Sequence, residues 1–404
     1  MSKSHSPIGT DLLCRNVTIL PENGKSEFLM YIEGYVSDEI RERVGIIVGK
    51  RPISFLQYGG TRRYSDRNPM RGPRIKEEGE AYYHMISRVV DRRMIFDTNE
   101  KERFRKVLRR VEAFCGLDIL TYAILDNHFH LLIHVPARRD VPDQEFLERL
   151  AHLYDATLVK TLAKELRQRR TEGQHEAAEA LKADFTYRMY DLSEFGKTLK
   201  QRISQSYNRR HGRKGTMWEE RFKSVITQGK PGALASVAAY IDLNAVRAGI
   251  VADPKDYRYS GYGEAMGGSE RAREGLAGVF AGENRTWRQV ARGYRQFLYV
   301  RGEARGLTPE GKPIRKGFDP AKVAEVLKAN GDLTLNELLH CRVRYFTDGL
   351  ILGSQDYVDD MFQRFRSRFG EKRQTGARPM RGGFTGLFSA RRLRLAVITI
   401  PASG

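Results

Sequence analysis

The run Asn127-His128-Phe129-His130-Leu131-Leu132 sets two imidazoles two positions apart. On an extended strand, side chains two apart share a face and each residue rises roughly 3.3 Å, so His128 and His130 stand about 7 Å apart at Cα. Two imidazoles so placed can bind one metal ion. Phe129 points to the opposite side and anchors the strand. His134 shares the histidine face but lies roughly 13 Å beyond His130, too far for the same ion, and reads as structural or as a DNA contact. A second constellation lies in LASVAAYIDLNAVRAGIV, where Tyr240, Asn244 and Arg247 recur at i, i+4 and i+7. On a helix that spacing makes one polar stripe. A tyrosine one turn from an amide oxygen suits a division of labour in which Asn244 completes a metal site and Tyr240 attacks a phosphate held there. The competing reading is an ordinary amphipathic helix with a half-buried tyrosine.

Two basic stretches add candidate contacts to nucleic acid. In SYNRRHGRKG, Tyr207 is a rival nucleophile or a base-stacking ring, while Arg209, Arg210, His211, Arg213 and Lys214 suit phosphates. In TMWEERFKS, Trp218 either stacks on a base or packs, with Arg221 and Lys223 beside it. Arg247 on the tyrosine helix extends the same set.

The elements that must position these residues follow from periodicity. Ala81 to Val90 reads as a strand, Asn99 to Phe114 as a helix capped by Thr98 or Asn99 and stopped by Gly116, and Leu117 to Leu125 and His128 to Val135 as two strands around the turn pair Asp126-Asn127. Residues 137–190 are charged and amphipathic and read as an inserted helical hairpin. Asp191 to Arg210 predicts another helix, Thr216 to Thr227 a strand, and Pro231 opens a helix that Gly249 closes. The order β-α-β-β, helical insert, β-α predicts an α+β fold: a ferredoxin-like antiparallel sheet with helices on one face, plus an extra helix. A mainly helical C-terminal region completes the chain. Within it, Asp319 to Leu339 reads as helix, turn, helix and Gln355 to Phe369 as a helix that begins acidic and ends basic, with Arg342, Arg344, Arg364, Arg366 and Arg368 as further basic residues.

At 404 residues the chain exceeds one ordinary core, so more than one unit is expected. The division read here is 1–69, an extension of unknown role; 70–265, a catalytic core; and 266–404, the helical region. Hydrophobic residues at 40% exclude wholesale disorder, and the net charge of +20 points to a polyanionic partner, nucleic acid first. Cys14, Cys115 and Cys341 lie far apart, which excludes a disulfide framework and a thiolate zinc site and suits a reducing cytoplasm. No apolar stretch reaches the roughly 20 residues of a membrane span, and no signal peptide is evident. A cytoplasmic protein with no membrane partner is expected. Two enzyme classes are absent as motifs: there is no GxxxxGK[ST] phosphate loop, and His175-Glu176 lacks the second histidine of an HExxH site.

The segments NHFHLLIHVP, RISQSYNRRHGRKGTMWEERFKS and AAYIDLNAVRAGIVADPKDYRYSGY, in that order, resemble the REP-associated tyrosine transposases, relatives of the single-strand transposases of the HUH class, over about residues 70–263. The resemblance implies a ferredoxin-like core that recognises a hairpin in single-stranded DNA, a REP-like palindrome, and cleaves beside it with Mg²⁺ or Mn²⁺. It implies His128 and His130 as the metal pair, Tyr240 as the nucleophile that forms a 5′-phosphotyrosine, and Asn244 as the polar ligand one turn on. Many relatives have proline where this chain has Ala245, a mild departure because alanine keeps the helix in phase. The C-terminal tail LLHCRVRYFTDGLILGSQDYVDDMFQRF resembles one found on some members, and Met70-Arg71-Gly72-Pro73 resembles the start of many, which predicts translation from Met70. The alternatives are an RRM-like RNA-binding module, with which the fold order also agrees, and a DNA-binding protein that no longer transposes. A monomer and a homodimer are both compatible with the sequence.

Overall fold

The computed structural model describes residues 17–21, 28–32, 74–280, 286–302, 305–307, 313–315, 344–347, 349–370, 373–380 and 386–391. The expected helix, turn, helix over Asp319–Leu339 and the proposed start at Met70 lie outside them. The chain divides into two compact units, Met1–Arg71 and Gly72–Gly404. In the first, β1 (Val17–Pro21) and β2 (Phe28–Ile32) pair antiparallel.

The second unit is built on one sheet. Its first half runs β3 (Ala81–Arg88), α1 (Thr98–Cys115), β4 (Asp118–Ile124) and β5 (His128–Val135). An insert follows, of α2 (Asp143–Ala151), α3 (Ala156–Thr171) and α4 (His175–Thr186), then α5 (Leu192–Arg210), β6 (Lys223–Thr227), α6 (Pro231–Asp242) and the single turn α7 (Asn244–Arg247). The insert has three helices, where one hairpin was expected, because Asp155 caps a new helix by accepting from the Thr157 and Leu158 amides.

Strands β6, β3, β5 and β4 lie side by side in that order, all antiparallel, as the ferredoxin-like reading requires. The two crossover helices α1 and α5 pack together on one face, where Phe104 meets Phe129 edge to face at 5.0 Å. The expectation of helices on one face holds for this pair, and the extra helix α6 covers the other face. The reason is visible in α6 itself: it is mostly apolar, and every residue from Ala233 to Asp242 is buried, so both its sides must be covered. The sheet residues Leu120, Leu132 and Val225 cover one side, and Tyr294 and Leu298 cover another.

The C-terminal part contributes α8 (Gly261–Met266), α9 (Glu270–Val279) and α10 (Trp287–Gly302), a short hairpin of β7 (Arg305–Leu307) and β8 (Pro313–Arg315), and later α11 (Arg344–Thr347) and α12 (Gln355–Arg364). It is helical as expected, and it also widens the sheet with three strands. β9 (Gly349–Gly353) pairs parallel with β6, and β11 (Phe388–Arg391) and β10 (Arg378–Pro379) follow outward. Without β9, β6 would present an unpaired backbone edge, a template for aggregation. No helix among the described residues is long and apolar enough to cross a membrane.

Candidate active site

Strand β5 forms as the sequence predicts, with Leu125 and His128 closing the turn through the Leu125 amide and His128 carbonyl at 2.8 Å. Phe129 is fully buried against α1, and His128 and His130 face α6 with ring centroids 5.1 Å apart. Tyr240 comes from the last turn of α6, and its ring stands edge-on to His130 at 5.6 Å. The histidine pair and the tyrosine, predicted from separate motifs, therefore share one site.

The tyrosine helix is held rigidly. The Asp242 carboxylate, wholly buried, accepts from Thr121 Oγ1 at 2.8 Å, the Tyr294 hydroxyl at 2.6 Å and the Tyr262 amide at 3.1 Å, joining α6 to β4, α8 and α10. Burial pushes its pKa up to about 7 against those three hydrogen bonds. Asn244 donates Nδ2 to the Tyr240 and Ile241 carbonyls at 2.9 and 3.2 Å, and its Oδ1 has no hydrogen-bond donor among the described residues. Arg247 donates to the Tyr240 carbonyl at 3.0 Å and its guanidinium lies 5.2 Å from the Tyr240 ring. The i, i+4, i+7 stripe is thus physically continuous across the break at Leu243.

Sequence reasoning missed three residues of this site: His84, Asn127 and Phe346. His84 is wholly buried on β3; its Nε2 lies 3.0 Å from His130 Nδ1 and its Nδ1 lies 3.0 Å from the Phe346 carbonyl. Phe346 also stacks face-on on Tyr240 at 4.7 Å. His128 Nδ1 lies 2.7 Å from Asn127 Oδ1. The signal for His84 was a polar residue in an otherwise buried strand. It acquires meaning only once the register places it opposite Leu132, diagonal to His130.

Electrostatics keep all three imidazoles neutral. Burial lowers His84 to about 3, opposed in part by its bond to the Phe346 carbonyl. Burial and the Arg88 charge lower His128 to about 4, and burial with the neighbouring imidazoles holds His130 well below the ordinary value. Neutral imidazole is the form that binds metal. In both His128 and His130, Nδ1 is hydrogen-bonded and Nε2 has no such partner among the described residues. Two imidazole nitrogens plus the Asn244 amide oxygen fit the donor preferences of a divalent cation, Mn²⁺ better than Mg²⁺ because of the nitrogens. No cluster of three His, Cys, Asp or Glu side chains suited to a metal occurs among the described residues.

The other candidates fall elsewhere. Tyr207 is 7% exposed and stacks on His211 at 4.1 Å on α5, the Phe129 side of the sheet. Trp218 is 8% exposed, packs on Phe129 at 5.6 Å and donates Nε1 to Ser204 Oγ at 2.8 Å. Of its two readings, packing is the one seen. Arg209, Lys214 and Arg221 are exposed. Arg210 pairs with Glu100, Arg213 lies 5.8 Å from the Tyr207 ring, and Lys223 lies 3.6 Å from Glu220. His134 Nδ1 bonds Asp118 at 2.9 Å, a structural role. The RRM-like alternative fails on geometry, since α6 covers the sheet face that such a module leaves open.

Residues 78–175 match the family model for IS200-like transposases. The match takes in His84, His128 and His130 and ends before the basic turn, Tyr240 and Asn244, so the tyrosine half of the site rests on this chain's own geometry. Among solved structures, one described as a REP-associated tyrosine transposase bound to a REP hairpin is similar at 14% identity over 53% of this chain and 93% of its own, with a TM-score of 0.30. No curated protein matches the chain.

Proposed function

We propose that this chain is a metal-dependent DNA transposase that cleaves and rejoins single-stranded DNA beside hairpins through a 5′-phosphotyrosine on Tyr240. The observation that carries the reading is the convergence of Tyr240 on His128 and His130 on one covered sheet face, in a chain whose IS200-like segment supplies the histidine pair. Mg²⁺ or Mn²⁺, held by His128, His130 and Asn244, would supply Lewis-acid polarisation of the scissile phosphate.

The chain's own residues account for the rest. The Tyr240 oxygen attacks phosphorus, the bond to the 3′ oxygen breaks, the tyrosine proton leaves to solvent or a base, and the departing 3′ oxygen takes up a proton. Arg247, over the ring, places positive charge beside the group that carries negative charge as it attacks. Attack by a second 3′-hydroxyl reverses the step, so joining needs no ATP. The Asp242 bonds fix the helix, and Phe346 with α6 excludes water from the tyrosine ring, which is 5% exposed. The net charge of +20 suits the DNA backbone.

The test is covalent attachment. Labelled single strands carrying the hairpins that flank the gene are incubated with the protein and Mn²⁺ and run on a denaturing gel. A protein–DNA adduct is expected, abolished by EDTA, by Tyr240→Phe and by His128→Ala. An adduct that survives Tyr240→Phe overturns the assignment. Tight, salt-sensitive binding without any adduct would leave a DNA-binding protein without the chemistry.

A further inference from the structure

His84 lies outside the metal pair, yet it is wholly buried and touches His130, Tyr240 and Phe346. Its two hydrogen bonds have a direction that the partners dictate. The Phe346 carbonyl only accepts, so the hydrogen between it and His84 belongs to Nδ1 of His84. A neutral imidazole has one N–H, so Nε2 of His84 is a lone pair, and the hydrogen in the 3.0 Å bond to His130 must sit on His130 Nδ1. That in turn leaves His130 Nε2 without a hydrogen. The opposite direction would need a doubly protonated His84 in a setting of Leu132, Val225, Tyr240, His130 and Phe346, with no acidic group among the described residues beside it to offset a buried cation.

We propose that His84 is a positioning residue whose Nε2 locks His130 into the Nδ1–H tautomer, so that His130 presents Nε2 as a bare lone pair, with the Phe346 carbonyl setting the direction of the relay. Asn127 Oδ1 does the same for His128 by accepting from its Nδ1. The relay joins β3, β5 and α11, so a residue from the C-terminal part orients a ligand in the IS200-like segment. The inference rests on the proposed function only for the use of the lone pair; the tautomer itself is independent of metal and DNA.

The experiment uses the full-length protein, metal-free, with ¹⁵N-labelled histidine. Long-range ¹H–¹⁵N correlations at neutral pH are expected to show His130 protonated on Nδ1 and bare on Nε2. His84→Leu removes the acceptor and should release His130 into a mixture of tautomers, weakening Mn²⁺ binding by calorimetry about 10- to 100-fold. His84→Gln, which can donate to the carbonyl and accept from His130, should hold the tautomer and keep Mn²⁺ affinity within roughly threefold of wild type. A hydrogen on His130 Nε2 in the wild type overturns the proposal, as does equal weakening by Leu and Gln. If the Leu variant does not fold, the wild-type spectrum and the Gln variant still decide. The expected tautomer with no Mn²⁺ binding in the wild type would support the relay and remove the metal-dependent function.

Discussion

The Tyr240 ring stands edge-on to the His130 imidazole, centroids 5.6 Å apart, and Tyr207 sits on the far side of the sheet. Geometry therefore separates two tyrosines that the sequence left in competition. Tyr207→Phe should leave adduct yield on a denaturing gel unchanged, whereas Tyr240→Phe should reduce the rate of adduct formation at least about a thousandfold. The reverse pattern would move the chemistry to α5.

Trp218 distinguishes packing from recognition in the same way. It closes the cluster of Phe96, Phe104 and Phe129, with its indole nitrogen satisfied by Ser204. Trp218→Ala should cost about 3–5 kcal/mol of stability, read from urea unfolding, since a large buried ring leaves a cavity. A variant of unchanged stability with weakened DNA binding would instead make the ring a base platform.

How much of this was legible depends on what kind of information each residue needed. Strand His128–Val135 was readable to the residue because Asp126-Asn127 and Pro136 bracket it. Helix α1 was placed correctly but its cap was not: Asp97 accepts from the Glu100 amide at 2.8 Å, where Thr98 or Asn99 was expected, since three candidate caps stand in a row. Thr216–Thr227 alternates like a strand, yet only Lys223 onward pairs with β3; the earlier part is drawn off by the Val90 amide bonding to the Met217 carbonyl and the Glu219 amide to that of Arg88. The site divides along the same line. His128, His130 and Tyr240 carry their spacing in the chain, while His84, Asn127 and Phe346 gain their roles from register and long-range packing, which no local period encodes.

Glu264 offers a test of the buried charge network behind the site. It accepts from Arg105 at 2.8 Å, Arg109 at 2.6 Å and the Tyr122 hydroxyl at 2.8 Å, tying α8 to α1 and β4. Burial raises its pKa, but Arg109, Tyr122 and Arg105 outweigh burial and hold it below the ordinary 4.5. A lowered folded value means that its stabilisation is complete above pH 4.5 and is lost as pH falls through the folded pKa. Glu264→Gln should lower stability at neutral pH by about 1–3 kcal/mol, less than a lone buried pair because Arg105 and Arg109 keep Glu102 and Glu112. The gap between wild type and variant in thermal melts should narrow as pH falls below 4.5. A gap that widens in acid would contradict the network.

Arg209, Lys214 and Arg221 are exposed, whereas Arg210 pairs with Glu100 and Lys223 lies near Glu220. If the three exposed residues contact phosphates of a single strand, replacing them together with alanine should flatten the slope of log K against log salt by about 2, since each phosphate contact contributes roughly 0.7. Affinity should fall equally for hairpins of different sequence, because phosphate contacts position the strand without reading it. Arg210→Ala should act differently: it leaves Glu100 with His211 alone as its ionisable partner, so its effect on binding is accompanied by lost stability at the start of α1. Fluorescence anisotropy across a KCl series separates the two. An unchanged slope in the triple variant would remove this basic turn from the DNA path and shift the search to three exposed arginines, Arg88 at the end of β3 opposite His128 and Arg92 and Arg93 shortly after it.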